Sequence, residues 1–352
     1  MLDLSQNIEN ILIQLMRIKS VTGEEKELYG QIKTALEKLG YPITFSWQNN
    51  LIVKIDLGKK ETIGLIGHLD TVPLDNDMQL EPLIKDGEIW GRGACDMKQG
   101  LACMLKLAYD FKQQKIEPKY NIMLVFYEGE EGPIKNNGIY NILQKNDILS
   151  QIDFAYVLEP TESKYDIGCM GALKAEIILK GKACHSASPW EGENAIYKAK
   201  DILMKTENIK DNIVNIEDIS AVESINIVQI NTTNAANVIP GECVLTLGYR
   251  FAPDKTIDEA KKILTNTMKT HMEILDAIPA SCAPKEACDK YLMPTIHKGI
   301  LQGWTDIANL NNAGIPAINF GPGSIKQAHK IDERISIKKL NVFYDLLNDH
   351  LI

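Results

Sequence analysis

Acidic residues and histidines gather at five places in this chain, each after a glycine turn or an apolar run. His68 and Asp70 stand in Gly67-His68-Leu69-Asp70, directly after the run Thr62–Ile66. Asp96 closes the glycine-rich segment Gly91-Arg92-Gly93-Ala94-Cys95-Asp96, at the start of a helical stretch. Glu128, Glu130 and Glu131 fall in Glu128-Gly129-Glu130-Glu131-Gly132, after the run Asn121–Phe126. Glu159 follows Phe154–Leu158, and His329 comes shortly after the turn Gly321-Pro322-Gly323. Singly, each has an ordinary reading: a structural histidine, a helix N-cap for Asp96, a solvated acidic loop, a loop glutamate. Jointly they point to metal chemistry. Three carboxylates at one strand end repel one another unless a cation neutralises them or one keeps its proton. Two histidines and three carboxylates can give each of two metals three ligands, with one carboxylate shared and positions left for water. Two cations ~3.5–4 Å apart can hold a hydroxide and polarise a carbonyl, which is the chemistry of hydrolysis.

The elements that must position these residues are legible in the apolar periodicity. Helical stripes run through Ile8, Ile11, Leu12, Leu15 and Met16, and through Leu28, Ile32, Leu36 and Leu39. Leu51–Ile55, Thr62–Ile66, Asn121–Phe126 and Phe154–Leu158 read as strands, with helices at Met97–Lys112 and Ile139–Leu143. Alternating apolar strands and helices imply an α/β layer fold with a mostly parallel central sheet, and an open sheet of that kind carries its ligands at the carboxyl ends of the strands. From Gly171 the texture changes. Strands at Leu173–Leu179, Ser224–Ile230 and Glu242–Tyr249 and helices at Asn194–Lys205 and Ile257–Met272 make a βαββαβ-like order, expected of a small inserted α+β domain. The expected organisation is a catalytic domain over 1–170 and 290–352, closed by the helix Ile337–Leu351, with the insertion over 171–289.

Composition narrows the class further. A formal net charge of -9 argues against a nucleic-acid partner. No window has the ~18 uncharged apolar residues of a membrane span, and the first twenty residues read as an amphipathic helix, not a signal peptide. Seven cysteines, an odd number scattered singly, fit free thiols in a reducing compartment. The expected location is the cytoplasm.

The order of these segments resembles the co-catalytic zinc aminoacylase and carboxypeptidase superfamily. The resemblance rests on GHLDTVP (Gly67–Pro73), GRGACDMKQG (Gly91–Gly100), YEGEEG (Tyr127–Gly132), LEPT (Leu158–Thr161) and ACHSASPWEGENAI (Ala183–Ile196). It continues through NVIPGE (Asn237–Glu242), YRFAP (Tyr249–Pro253), GWTD (Gly303–Asp306) and NFGPG (Asn319–Gly323). It implies two zinc ions, with cobalt or manganese able to substitute: one on His68 and Glu159, the other on Glu131 and His329, with Asp96 bridging. Asp70 would support His68, Glu130 would act as general base, and the peptide from Asp96 to Met97 would be cis. His185 would reach the active site of a second subunit and stabilise the oxyanion, so a homodimer through the inserted lid domain is expected. Asn237 and Arg250 match positions that hold substrate, and Thr305, Gly321 and Gly323 would line its tail unless they are turn formers. The implied substrate is a small N-acyl amino acid. The pattern is most similar to the Gram-positive branch that cleaves N-succinyl-LL-2,6-diaminopimelate. The alternatives are an N-acetylornithine or other N-acyl amino acid deacylase, a dipeptidase, or, more remotely, a non-catalytic binding protein on this scaffold. GWTD and the spacing from GPG to His329 depart from the better-known bacterial members, which bears on the acyl group and not on the metals.

Overall fold

The apolar runs beside the acidic clusters are strands in the computed structural model, which describes residues 2–113, 117–216 and 218–352. Thr62–His68, Asn121–Tyr127 and Phe154–Val157 are buried along their whole length, as continuous apolar runs require in a sheet covered on both faces. The chain divides into two compact units, one of residues 1–167, 283–299 and 305–352, the other of residues 168–282 and 300–304. Residues 283–289, which the break in periodicity left with the insertion, therefore lie in the first unit, where Lys285–Tyr291 is a helix.

In the first unit six strands lie side by side in the order Phe45–Trp47, Asn50–Ile55, Asn121–Tyr127, Thr62–His68, Phe154–Val157 and Ala317–Asn319. The last four run parallel and form the centre; the first two add an antiparallel edge. The expected α/β architecture with its parallel centre is present. The helices Ile8–Met16, Lys98–Gln113 and Ile337–Leu351 pack on one another, and Lys98–Gln113 lies against Thr62–His68. No helix among the described residues is long and apolar enough to cross a membrane, and no disulfide joins the cysteines.

The second unit is built on a five-stranded antiparallel sheet in the order Asn212–Ile216, Ile219–Asn231, Glu242–Phe251, Gly171–Lys180 and Glu273–Ile278. Alternate residues Leu173, Ala175 and Ile177 meet Leu245, Leu247 and Tyr249 in its core, with Ala260 and Leu264 of the helix Ile257–Met268. That helix starts on a capping box between Thr256 and Glu259 and ends at Met268, four residues before the expected Met272, where Lys269 breaks it with a φ of 50°. The expected helix over 194–205 is two pieces, Ala195–Lys198 and Lys200–Glu207. Asn212–Ile216 is an additional edge strand.

Candidate metal centre

Strand register brings the five ligand candidates to one edge. His68 pairs with Tyr127, and Ile66 with Val157, so Glu159 ends level with His68 while Glu130 and Glu131 turn back just beyond Tyr127. Asn319 pairs with Val157, which delivers the Gly321–His329 loop to the same edge. Asp96 arrives from the turn that precedes the helix Lys98–Gln113, and its peptide bond to Met97 is cis. The structure thus assembles two groups of donor atoms, each lying within 4.8 Å of one another: His68, Asp96 and Glu159, and Asp96, Glu131 and His329. Asp96 belongs to both.

His68 is buried, and its Nδ1 lies 2.9 Å from the main-chain oxygen of Asp70. A carbonyl only accepts, so Nδ1 carries a hydrogen and Nε2 is the nitrogen left for a metal. Nε2 faces Asp96 Oδ1 at 3.3 Å and Glu159 Oε1 at 3.7 Å. Carboxyl groups converging on this nitrogen call for positive charge there, a proton on the ring in the metal-free protein or a metal cation in its place. Glu159 Oε1 is buried and without a hydrogen-bond partner, a cost that native proteins pay at few places. On the other side His329 Nε2 lies 2.9 Å from Glu131 Oε1 and 3.3 Å from Asp96 Oδ2. His329 reaches that position with φ of 62°, a left-handed conformation uncommon outside glycine. This donor set, imidazole and carboxylate with a stranded buried oxygen between, fits divalent metals such as zinc.

Electrostatics report the same demand for positive charge. Burial disfavours the protonated His68, yet the carboxylates of Asp70, Asp96 and Glu159 prevail and raise its pKa well above the ordinary value. Hydrogen bonds to Asp96 and Glu131 raise His329 to about 10. Burial, reinforced by the charge of Asp96, pushes Glu159 up to about 8. Asp96 is also buried, but its contacts with His329 and His68 hold it well below the carboxylate range. Burial raises Glu130 well above that range.

Asp70 is fully buried and acts as a clasp. Its carboxylate accepts the amide hydrogens of Glu130 and Glu131, both at 3.0 Å, and the hydroxyl of Thr22 at 2.9 Å. Carrying a partner for His68 on its main chain and anchors for Glu130 and Glu131 on its side chain, it fixes three functional residues at once. One oxygen of Glu130 groups with donors of His68 and Glu131 within 4.8 Å, so the expected base lies against both ligand sets.

The remaining expected site residues divide into two groups. Thr305 is buried and its hydroxyl donates to Asn319 Oδ1 at 3.0 Å. Gly321 is braced against Thr161, donating to its hydroxyl at 3.1 Å, and Gly323 turns with φ of 82° against Cys95. All three support the loops that carry Glu159 and His329. In the second unit His185, on the short strand Cys184–His185, pairs with Val238, and Ser186 N–H donates to Asn237 at 2.9 Å, which places His185 and Asn237 together on an exposed surface. Arg250 is exposed near the far end of Glu242–Phe251.

Sequence reasoning passed over Arg92 and Glu333, a buried ion pair at 2.9 Å, and Thr22, which braces Asp70. Arg92 lies inside the glycine-rich turn, a position that could have drawn notice; Glu333 and Thr22 carry no local signal.

With the geometry in place, comparisons with known proteins supply a family. The model of peptidase family M20/M25/M40 matches residues 64–351. A succinyl-diaminopimelate desuccinylase of Corynebacterium glutamicum is 31% identical over 352 residues, covering 96% of this chain and 94% of that protein. Among solved structures, a tripeptidase from Staphylococcus aureus superposes with a TM-score of 0.78 at 23% identity, over 100% of this chain and 98% of its own. A dinuclear metal-binding peptidase from Bacillus subtilis superposes with a TM-score of 0.69 at 16% identity, over 99% and 97%. The chain belongs to peptidase family M20/M25/M40 and is a metal-dependent amide hydrolase.

Proposed function

We propose that this enzyme hydrolyses N-succinyl-LL-2,6-diaminopimelate to succinate and LL-2,6-diaminopimelate in lysine biosynthesis, using two zinc ions. The observation that carries the metal reading is the stranded Glu159 oxygen facing His68 Nε2, with Asp96 shared between the two donor groups. His68, Asp96 and Glu159 would hold one ion, and Asp96, Glu131 and His329 the other. When bound, such ions acidify water to a pKa of about 7 and polarise a carbonyl. The substrate reading is supported by the 31% identity with the corynebacterial desuccinylase over nearly the full length of both chains.

The residues then divide the work. Glu130 takes a proton from the attacking water and returns it to the departing amine nitrogen. Its burial, which favours the protonated form, suits a carboxyl that must hold a proton between those two transfers. His185 accepts the Ala187 N–H on Nδ1 at 3.0 Å, so its neutral ring carries hydrogen on Nε2 and can donate it to the developing oxyanion. Arg250 offers a planar fork for a substrate carboxylate.

Homodimerisation, which the resemblance implies, is supported by the spacing of these residues. His185 and Asn237 lie beyond the Glu242 end of Glu242–Phe251, where Gly181 N–H donates to Gly241. Arg250 is eight residues further on, and at ~3.4 Å per residue about 27 Å of strand intervenes. One chain's second unit therefore offers them to one small substrate poorly, which favours a site shared between two chains.

Deacylation of acetylated amino acids, or cleavage of a dipeptide, needs the same metals and base. A substrate panel with zinc-loaded enzyme separates them. We expect turnover of the N-succinyl compound at least about tenfold above N-acetylornithine and dipeptides; activity confined to the latter would sink the desuccinylase reading.

A further inference from the structure

Glu333 is 1% exposed and follows His329 by four residues. Its Oε1 accepts two amide hydrogens at once, from Cys95 at 2.8 Å and from Asp96 at 3.0 Å. Its Oε2 takes Arg92 Nη1 at 2.9 Å. Arg92, 3% exposed, donates onward from Nη1 to the Lys330 carbonyl at 3.3 Å, and from Nη2 to the Pro73 carbonyl at 3.3 Å and Asp75 Oδ2 at 3.1 Å. Gly91 N–H donates to the main-chain oxygen of Glu333 at 2.9 Å. The turn bearing Asp96 is thus stapled to the loop bearing His329.

Stability alone does not account for this pair. Burying two charges costs desolvation that apolar residues of equal volume avoid, and the negative charge of Asp96 works against a second carboxylate beside it. What only a carboxylate does here is hold the two amides with one oxygen while the other fixes a guanidinium.

The consequences for the two ligand sets differ. His68 has its own anchor on the Asp70 carbonyl, and the Glu159 loop is braced by Thr161 and Gly321. Glu131 is fixed by Asp70. His329 is half exposed, with a side-chain exposure of 54%, and its loop is tied down through Lys330 and Glu333. We propose that Arg92 and Glu333 are positioning residues that set the affinity of the Asp96–Glu131–His329 site, leaving the His68–Asp96–Glu159 site nearly unchanged. This rests on the two-metal reading above.

Cobalt titration of the chelator-stripped enzyme, followed by visible absorption and by metal content after desalting, tests it. The parent should take up two equivalents. Glu333→Ala should keep the first within about threefold and weaken the second by 10–100-fold, the usual range for losing a group that orients a metal ligand. Its KM should stay near that of the parent while kcat falls. Glu333→Gln keeps an oxygen for the two amides but turns an NH2 toward Arg92, so it should weaken the second site by about tenfold with the first unchanged, and it carries the test if the alanine variant does not fold. Two tight equivalents in Glu333→Ala would overturn the inference. So would equal weakening of both sites in Glu333→Ala and Glu333→Gln with a matching loss of metal-free melting temperature, because that marks general fold support. A parent that binds fewer than two cobalt ions refutes the two-metal reading itself, an outcome distinct from either.

Discussion

Gly321→Ala separates two roles for the loop that ends the parallel sheet. A Cβ at Gly321 would stand 2.4 Å from the Glu159 carbonyl oxygen and 2.5 Å from that of Leu158. Both are backbone atoms, so no side-chain rotation relieves the contact. Reaching even a tight 3.0 Å needs a displacement of about 0.6 Å between the Gly321 loop and the Leu158–Glu159 strand end, on the arithmetic of 3.0 minus 2.4. Overpacking of this kind costs about 1–3 kcal/mol, which for a unit of this size is a fall in melting temperature of several degrees. The functional effect should be larger, because the displaced carbonyl belongs to Glu159. A misplacement of about 1 Å near a catalytic centre can cost about 100-fold, so a fall in kcat of at least about tenfold is expected, with weaker metal retention. Differential scanning fluorimetry, metal analysis and steady-state kinetics on the purified variant measure all three. If Gly321 instead lines the substrate tail, KM rises alone while melting temperature and metal content stay with the parent. That pattern would refute the supporting role argued here.

Two further outcomes follow from the centre's electrostatics and from the proposed dimer. In chelated protein, folded Glu159 keeps its proton up to about 8 while the unfolded chain releases it near 4.5, so stability is lost as pH rises through that window. The limit for this buried group is about 5 kcal/mol, and His329, raised from 6.5 to about 10, adds a loss of the same sign between those values. Urea midpoints in chelator should therefore fall from pH 5.5 to 8.5 and recover with zinc; a midpoint that rises over that range contradicts the reading. For the dimer, Glu130→Ala and His185→Ala should each be inactive with metals retained, and mixing them should restore partial activity through subunit exchange. Absence of complementation in demonstrably mixed dimers would place His185 in its own subunit's site or outside the mechanism.

What the sequence discloses follows the range of the interaction involved. Thr62–Ile66 and Asn121–Phe126 are readable as strands because burial on both faces demands an unbroken apolar run, and the acids after them are conspicuous because they stand close behind such a run. Asn212–Ile216 is not readable in this way. It is an edge strand with Ile213 66% exposed, so its pairing with Ile219–Asn231 leaves no alternation in the residue types. Thr305 stands out in sequence only through the resemblance, and its hydrogen bond to Asn319 inside the fold is a contact across fourteen residues that no local pattern announces.

The least legible part is the support beneath the ligands. Glu333 and the amides of Cys95 and Asp96 are separated by 238 and 237 residues, and the contact involves main-chain N–H groups that every residue except proline possesses. No residue type near Asp96 could have announced its partner. Ligand identity is local chemistry and survives in sequence, whereas ligand position is a property of the closed network. A variant that keeps all five ligands but breaks Glu333 from the Asp96 turn retains every motif and should still lose half of its metal centre.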